Sequence, residues 1–281
     1  MSDRVITTIE AGVAEVRLNR ADKLNALDPA MFRALVEAGE SLKSAPEVRA
    51  VVLSADGRGF CAGLDFASFE AMADSDGTDG EKASDTASIG SIPEGRITHL
   101  AQQACWVWQE LEVPVIAAVH GVAFGGGFQL TLGADIRIVA PDARLSVLEI
   151  RWGLTPDMTA TQILPHLVGP DQAKLLAWTG REVSGIEALE LGLVTMVDDD
   201  PAAAARVLAA DIASRSPQAI RGSKHLINLA LGHDWARGFA EERRVIGDII
   251  GSPNQVEAVT AFFQKRDAIY ADVELDTPAD S

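Results

Sequence analysis

The chain opens with "VITTIEAGVAEVRLNR", where aliphatic and polar positions interleave on either side of Gly12, a pattern that predicts a β-hairpin turning at that glycine. "DPAMFRALVEAGESLKS" changes to helical spacing, with Asp28 as N-cap and Pro29 in the first turn. "VRAVVLSADG" is then a short run of aliphatic residues ending in turn chemistry, which fits a strand covered on both faces. The same logic predicts a helix over "RITHLAQQACWVWQEL", a buried strand at "PVIAAVHG", a helix from about Gly126, strands at "IRIVAP" and near "LSVLEI", and helices from Met158 onward. Strand and helix in such regular alternation point to an α/β fold built from repeated strand-turn-helix units.

Two regions break the pattern. Ala73 to Gly95 is acidic, rich in Ser, Gly and Asp and almost without apolar residues, so it is expected to be a mobile excursion on the surface and a candidate lid. After Asp198 the periodicity is helical only, in four amphipathic segments: "PAAAARVLAADIASRS", "QAIRGSKHLINLAL", "WARGFAEERRVIGDII" and "NQVEAVTAFFQKRDAIY". This divides the chain into a core, residues 1–197, and a helical C-terminal part, residues 198–281. The final "ADVELDTPADS" reads as disordered.

Composition narrows the partners. A formal net charge of −17 argues against nucleic acid and anionic membranes, which require a basic footprint. Val113 to Ala134 carries no charge, but five glycines, His120 and Gln129 interrupt it, so it is not read as a membrane span. Two cysteines, Cys61 and Cys105, and an opening unlike a signal peptide predict a cytoplasmic protein without a disulfide. The five histidines show no ligand spacing with Cys or carboxylates, so no metal is expected.

Candidate chemistry concentrates in two glycine-rich turns. In "GVAFGGGFQLTLGAD" three glycines stand where a strand gives way to a helix, so bare amides of a helix N-terminus face whatever lies beyond the strand end. No Lys-Ser or Lys-Thr follows and no GxGxxG is formed, which leaves a negative oxygen other than phosphate, or simply tight strand-helix packing. "GRGFCAGLDF" is a second strand-end turn with Gly63 before Leu64 and Asp65. Two such turns could direct two N–H donors at one oxygen, as in an oxyanion hole.

"IAAVHGVAFGGGFQLTLGADIRI" and "GRGFCAGLD", with "LNRADKLNALD", "SGIEALELGLVTMV" and "FFQKR", resemble the crotonase (enoyl-CoA hydratase/isomerase) superfamily, from the first hairpin to about Tyr270. The resemblance implies a spiral of ββα units followed by helices that make a homotrimer or a dimer of trimers. It implies an acyl-CoA thioester substrate, with no cofactor beyond the coenzyme A of that substrate. The thioester oxygen would be held by the amides of Leu64 and Gly126, with Ala62, Gly63, Asp65 and Gly125 lining the same turns. Lys23, Lys265 and Arg266 would reach the CoA phosphates.

The family's two hydratase carboxylates map to positions 129 and 149, and this chain has Gln129 and Glu149. Glu149, among aliphatics in "RLSVLEIRWGL", reads as a buried acid/base group with a raised pKa, or else as half of an ion pair with Arg144 or Arg151. Gln129 cannot exchange a proton and is expected to face the substrate and hold water or a substrate group. Asp157 occupies the position of a catalytic Asp in the dienoyl-CoA isomerase branch, and is also placed as an N-cap for the helix that follows. Cys61 reads as a packing residue. These features predict an enoyl-CoA hydratase or isomerase. The alternatives are a dienoyl-CoA-isomerase-like shift using Glu149 and Asp157, or a non-catalytic acyl-CoA-binding member.

Overall fold

A computed structural model describes residues 4–65, 91–215, 217–230, 235–266 and 268. Most of the acidic excursion, and the end of the chain, lie outside these residues.

Strands β1 (Val5–Glu10) and β2 (Val13–Leu18) pair antiparallel through a turn in which Ala11 and Gly12 both have positive φ, 49° and 83°. That backbone matches the twist of the two strands, and the second position goes to glycine without a Cβ penalty. Helix α1 (Pro29–Lys43) starts as its sequence predicts: the Asp28 carboxylate accepts from Met31 N at 2.7 Å, and Pro29 occupies the first turn. Helix α2 (Leu100–Glu110) begins later than Arg96. His99 and Gln102 form a reciprocal cap that fixes its first turn.

β2 continues into a parallel series with β3 (Ala50–Ala55), β4 (Val115–Val119), β6 (Ile136–Val139) and β9 (Met196–Val197), giving a six-stranded sheet ordered β1-β2-β3-β4-β6-β9. β5 (Val122–Phe124), β7 (Arg144–Ser146) and β8 (Val183–Ser184) form a smaller sheet ordered β5-β7-β8. The period-2 rule explains why the central strands are uniformly apolar. Val51 and Leu53 of β3, with Val115, Ala117 and Val119 of β4, enter the main core beneath α1 and α2, whereas Ala50, Val52, Ile116 and Ala118 point to the opposite face.

Helix α3 (Gly126–Leu132) follows β5, and α4 (Ala160–Thr179) is bent at Gly169, between Pro165 and Pro170. α5 (Gly185–Glu190) connects β8 to β9. The four C-terminal segments are helices: α6 (Pro201–Ala213), α7 (Pro217–Ala230), α8 (Trp235–Ile249) and α9 (Pro253–Gln264).

These helices do not all stand apart from the sheet. Ala205 and Ala209 of α6 bury against Ala50, Val52, Ile116, Ala118 and Ile138, so α6 forms the second covering layer of the sheet although it follows residue 198. α7 is fastened by Lys224, whose ammonium donates to Asp135 Oδ2 (2.8 Å), Val113 O (3.0 Å) and Trp108 O (3.3 Å). α9 lies against the segment after β7, where the missing side chain of Gly153 leaves room for Gln255 and Ala258.

Candidate active site

β3 and β4 end side by side, and the two glycine turns grow from that end of the sheet. The first turn is stitched to the loop before α1. Ala62 N donates to Leu24 O (2.9 Å), Leu27 N to Gly63 O (2.8 Å) and Asp65 N to Leu27 O (3.0 Å). Beside it, Phe124 N donates to Cys61 O, bringing β5 and the second turn alongside.

The glycines are required by contact. At Gly63, with φ +92°, a Cβ would lie 2.7 Å from Phe124 O and 3.8 Å from Gly126 N, so the two turns approach backbone to backbone. Gly125, with φ +51°, would place a Cβ 3.3 Å from Glu149 Oε1; one on Gly126 would meet Leu27 and Met158; one on Gly127 would meet Cys61. The close-packing reading of the triple glycine holds at each of these positions. The amides of Leu64 and Gly126 donate to no carbonyl of the described residues. These are the two donors that the oxyanion reading requires.

Glu149 is not on a strand. β7 stops at Ser146, where Gly125 N donates to Ser146 O, and Glu149 opens a 3-10 turn, Glu149–Trp152. The turn carries its carboxyl inward beside Gly125. Arg144 and Arg151, the proposed ion-pair partners, go to Glu182 instead (2.5 and 3.6 Å). Glu149 thus has no cation paired with it among the described residues, and desolvation pushes its pKa up to about 7, against the pull of the Glu149 and Leu148 backbone and the Gln129 side chain.

Gln129 does different work from that expected. Fully buried, it accepts through Oε1 from Met158 N (2.9 Å) and Ala160 N (3.0 Å), and donates through Nε2 to Glu149 Oε1 at 2.6 Å. Two backbone N–H groups can meet only the amide oxygen, so the NH2 necessarily faces the carboxyl. Gln129 is a strut between the start of α4 and Glu149. The strut also sorts the two carboxyl oxygens: Oε1 is committed, while Oε2 is buried without a hydrogen-bond partner among the described residues. An orphaned buried carboxyl oxygen is costly unless something else meets it.

Asp157 is not the N-cap of α4. That position falls to Thr159, at φ 120°, whose hydroxyl approaches Gln129 O at 3.5 Å while Met158 N and Ala160 N are drawn to Gln129. Asp157 lies half-buried next to Met158, the residue that anchors the strut. Asp65, expected among the substrate-binding residues, gives its carboxylate to Arg20 at 2.6 Å. Lys23 is exposed at the end of a 3-10 turn, Ala21–Lys23; Lys265 ends α9; and Arg266 is paired with both oxygens of Glu257. Cys61 is wholly buried, its thiol pushed up to about 12 by burial, as suits a packing residue. Sequence reasoning missed Asn25, a buried residue whose side chain donates to Asp56 O and Gly59 O and accepts from Arg20 N.

The profile of the enoyl-CoA hydratase/isomerase family matches residues 8–273. The short-chain-enoyl-CoA hydratase of Clostridium acetobutylicum is 32% identical, the match covering 94% of this chain and 96% of that protein. The mitochondrial Delta(3,5)-Delta(2,4)-dienoyl-CoA isomerase of Rattus norvegicus is 36% identical, over 82% of this chain and 69% of that protein. A crystal structure of an enoyl-CoA hydratase/isomerase from Pseudoalteromonas atlantica superposes with a TM-score of 0.80 at 28% identity, covering 95% of this chain and all of that one. With its two glycine turns, its spiral of strands and helices and a buried acid beside them, the chain belongs to the enoyl-CoA hydratase/isomerase family and acts on an acyl-CoA thioester as a hydratase or isomerase.

Proposed function

We propose that within this family the protein shifts a double bond along the acyl chain, with Glu149 as the single group that moves the proton. The observation that carries this reading is the commitment of Gln129. Its amide has a partner at both ends, so among the described residues the site holds one buried carboxyl, Glu149, whose Oε2 is left for the substrate. Adding water across a double bond calls for a group to activate the water and another to protonate carbon, whereas an allylic shift needs one base that takes a proton and returns it elsewhere.

In the forward step Glu149 Oε2, ionised, removes the proton on the carbon next to the thioester carbonyl. The electron pair moves into a dienolate, whose oxygen receives the N–H bonds of Leu64 and Gly126. The same oxygen of Glu149 then returns the proton to the γ carbon, the double bond settles in conjugation, and the carboxylate is regenerated. A base with a pKa near 7 is suited to both transfers at neutral pH.

The exposed apolar side chains of Trp178, Val207, Leu226, Ile227, Phe262 and Phe263 support a homotrimer or dimer of trimers, to be read from the native mass. No helix among the described residues is long and apolar enough to cross a membrane. The proposed setting is the cytoplasm. The reaction is tested by incubating the enzyme with 2-enoyl-, 3-enoyl- and dienoyl-CoA thioesters in D2O and resolving products by mass. Interconversion of 2- and 3-enoyl thioesters with deuterium at the α or γ carbon is expected; 3-hydroxyacyl-CoA as the dominant product would overturn the assignment.

A further inference from the structure

The oxyanion assignment asks that the Leu64 amide be aimed, and the structure contains a device that does so. In an extended segment successive N–H and C=O groups face opposite sides. Gly63 O and Asp65 N are both turned toward Leu27, at 2.8 and 3.0 Å, so the Leu64 N–H between them is turned to the other side. A Cβ on Gly63 would meet Phe124 O and lie 3.8 Å from Gly126 N, so the second turn stands against this stretch. The direction of the Leu64 amide is therefore set by how firmly Leu27 and residues 63–65 are held together.

A second fastening runs through Arg20. Its guanidinium, largely buried, donates through Nη1 to Asp65 Oδ2 at 2.6 Å and to Ala26 O at 2.9 Å, and Nη2 stands 3.5 Å from Asp28 Oδ2. One cation thus joins the residue after Leu64, the residue before Leu27 and the cap of α1. Its own backbone is pinned in turn: Arg20 N donates to Asn25 Oδ1, Asn25 N returns a bond to Arg20 O, and Arg4 holds Asp28 from the outside at 2.7 Å. We propose that Arg20, acting through Asp65, is a positioning residue for the Leu64 oxyanion donor.

A planar guanidinium that bridges a carboxylate and a carbonyl fixes both distance and angle, which an ammonium at the same place does less well. The orientation matters because a donor stabilises the developing enolate only when it already points at the position of the oxygen. The inference rests on the oxyanion reading of Leu64 and Gly126.

The test uses the full-length protein and an arylacryloyl-CoA thioester, whose absorption moves to longer wavelength when its carbonyl is polarised. Wild-type protein is expected to red-shift the bound thioester. Arg20→Gln and Asp65→Asn are expected to lose about half or more of that shift and to lower kcat by roughly tenfold to a hundredfold, with KM changed only a few-fold and the acid limb set by Glu149 in place. Arg20→Lys should recover part of the shift. Should Arg20→Gln not fold, Asp65→Asn, which keeps the side-chain shape, decides the matter. A full red shift in folded variants overturns the role of Arg20 and leaves the oxyanion reading standing. No red shift in the wild-type complex overturns the oxyanion reading, and the inference with it.

Discussion

Replacing Gln129 by glutamate puts a second carboxyl into the strut, and the geometry dictates what that carboxyl can do. One of its oxygens would inherit the bonds from Met158 N and Ala160 N, and the other would face Glu149 Oε1 across 2.6 Å. Two unit charges at that separation repel by about 6 kcal/mol at an effective dielectric of about 20, equivalent to more than four pH units on the second ionisation. The pair therefore retains one proton through the neutral range. That proton lies between the carboxyls, where the amide N–H was, and Oε2 of Glu149 remains the working oxygen. A carboxylic acid is a stronger donor than an amide, so the first ionisation is eased, as in paired carboxylates that share a proton. The acid limb of kcat/KM is expected to move about one pH unit or more below its position near 7, with isomerisation retained. Hydration is not expected to gain, because both new oxygens are engaged, in contrast to a residue that faces water. The assay is the pH profile of double-bond shift and of solvent-deuterium uptake, with products resolved by mass. An acid limb that stays in place, in a folded variant, would refute contact between position 129 and Glu149.

Three further outcomes follow from the same geometry. In the folded state Glu149 keeps its proton up to about 7, whereas an unfolded carboxyl loses it near 4.5, so wild-type stability falls as pH rises through this window by about 3 kcal/mol on this group alone. Glu149→Gln should lack that loss; the stability difference between the two proteins from urea unfolding should grow by that amount from pH 4 to pH 8, and a constant difference would contradict a raised pKa. Gly63→Ala adds a Cβ at positive φ only 2.7 Å from Phe124 O, and is expected to lower stability by about 2 kcal/mol or more and to depress kcat, read from thermal unfolding and steady-state kinetics; an unperturbed variant would mean that the turns do not meet as described. Asp157→Asn is expected to leave the 2-enoyl to 3-enoyl shift within a few-fold of wild type, since the strut to Glu149 runs through Met158 N and Ala160 N; loss of a dienoyl shift alone would instead assign Asp157 to a two-acid reaction.

Much of the architecture was legible because it is written in periodicity. The alternation of Val51 and Leu53 with Ala50 and Val52, the cap at Asp28 and the glycines of the two turns each express a local rule that needs no knowledge of distant partners. The strut did not. Gln129 meets Met158 and Ala160 through backbone amides 29 and 31 residues away, and such bonds leave no trace in hydrophobic spacing. The same limit explains the misreading of Glu149, whose apolar neighbours suit a strand and a 3-10 turn equally, and why the N-cap position of α4 falls to Thr159, beside the two amides that meet Gln129. It also explains why α6 was grouped with the C-terminal helices. An alanine-rich face does not show whether it will meet a sheet or another helix until the small residues opposite, Ala50 and Ala118, are placed.

In the proposed reaction Glu149 Oε2 is the one group that moves the proton. This is tested most directly by the rate at which solvent deuterium enters the α position of a bound 3-enoyl-CoA, compared between wild type and Glu149→Gln under conditions where both are folded and saturated with thioester. The substitution keeps the shape and removes the base, so the exchange rate is expected to fall by at least about a hundredfold while thioester binding is retained. Exchange within a few-fold of wild type would mean that another group moves the proton.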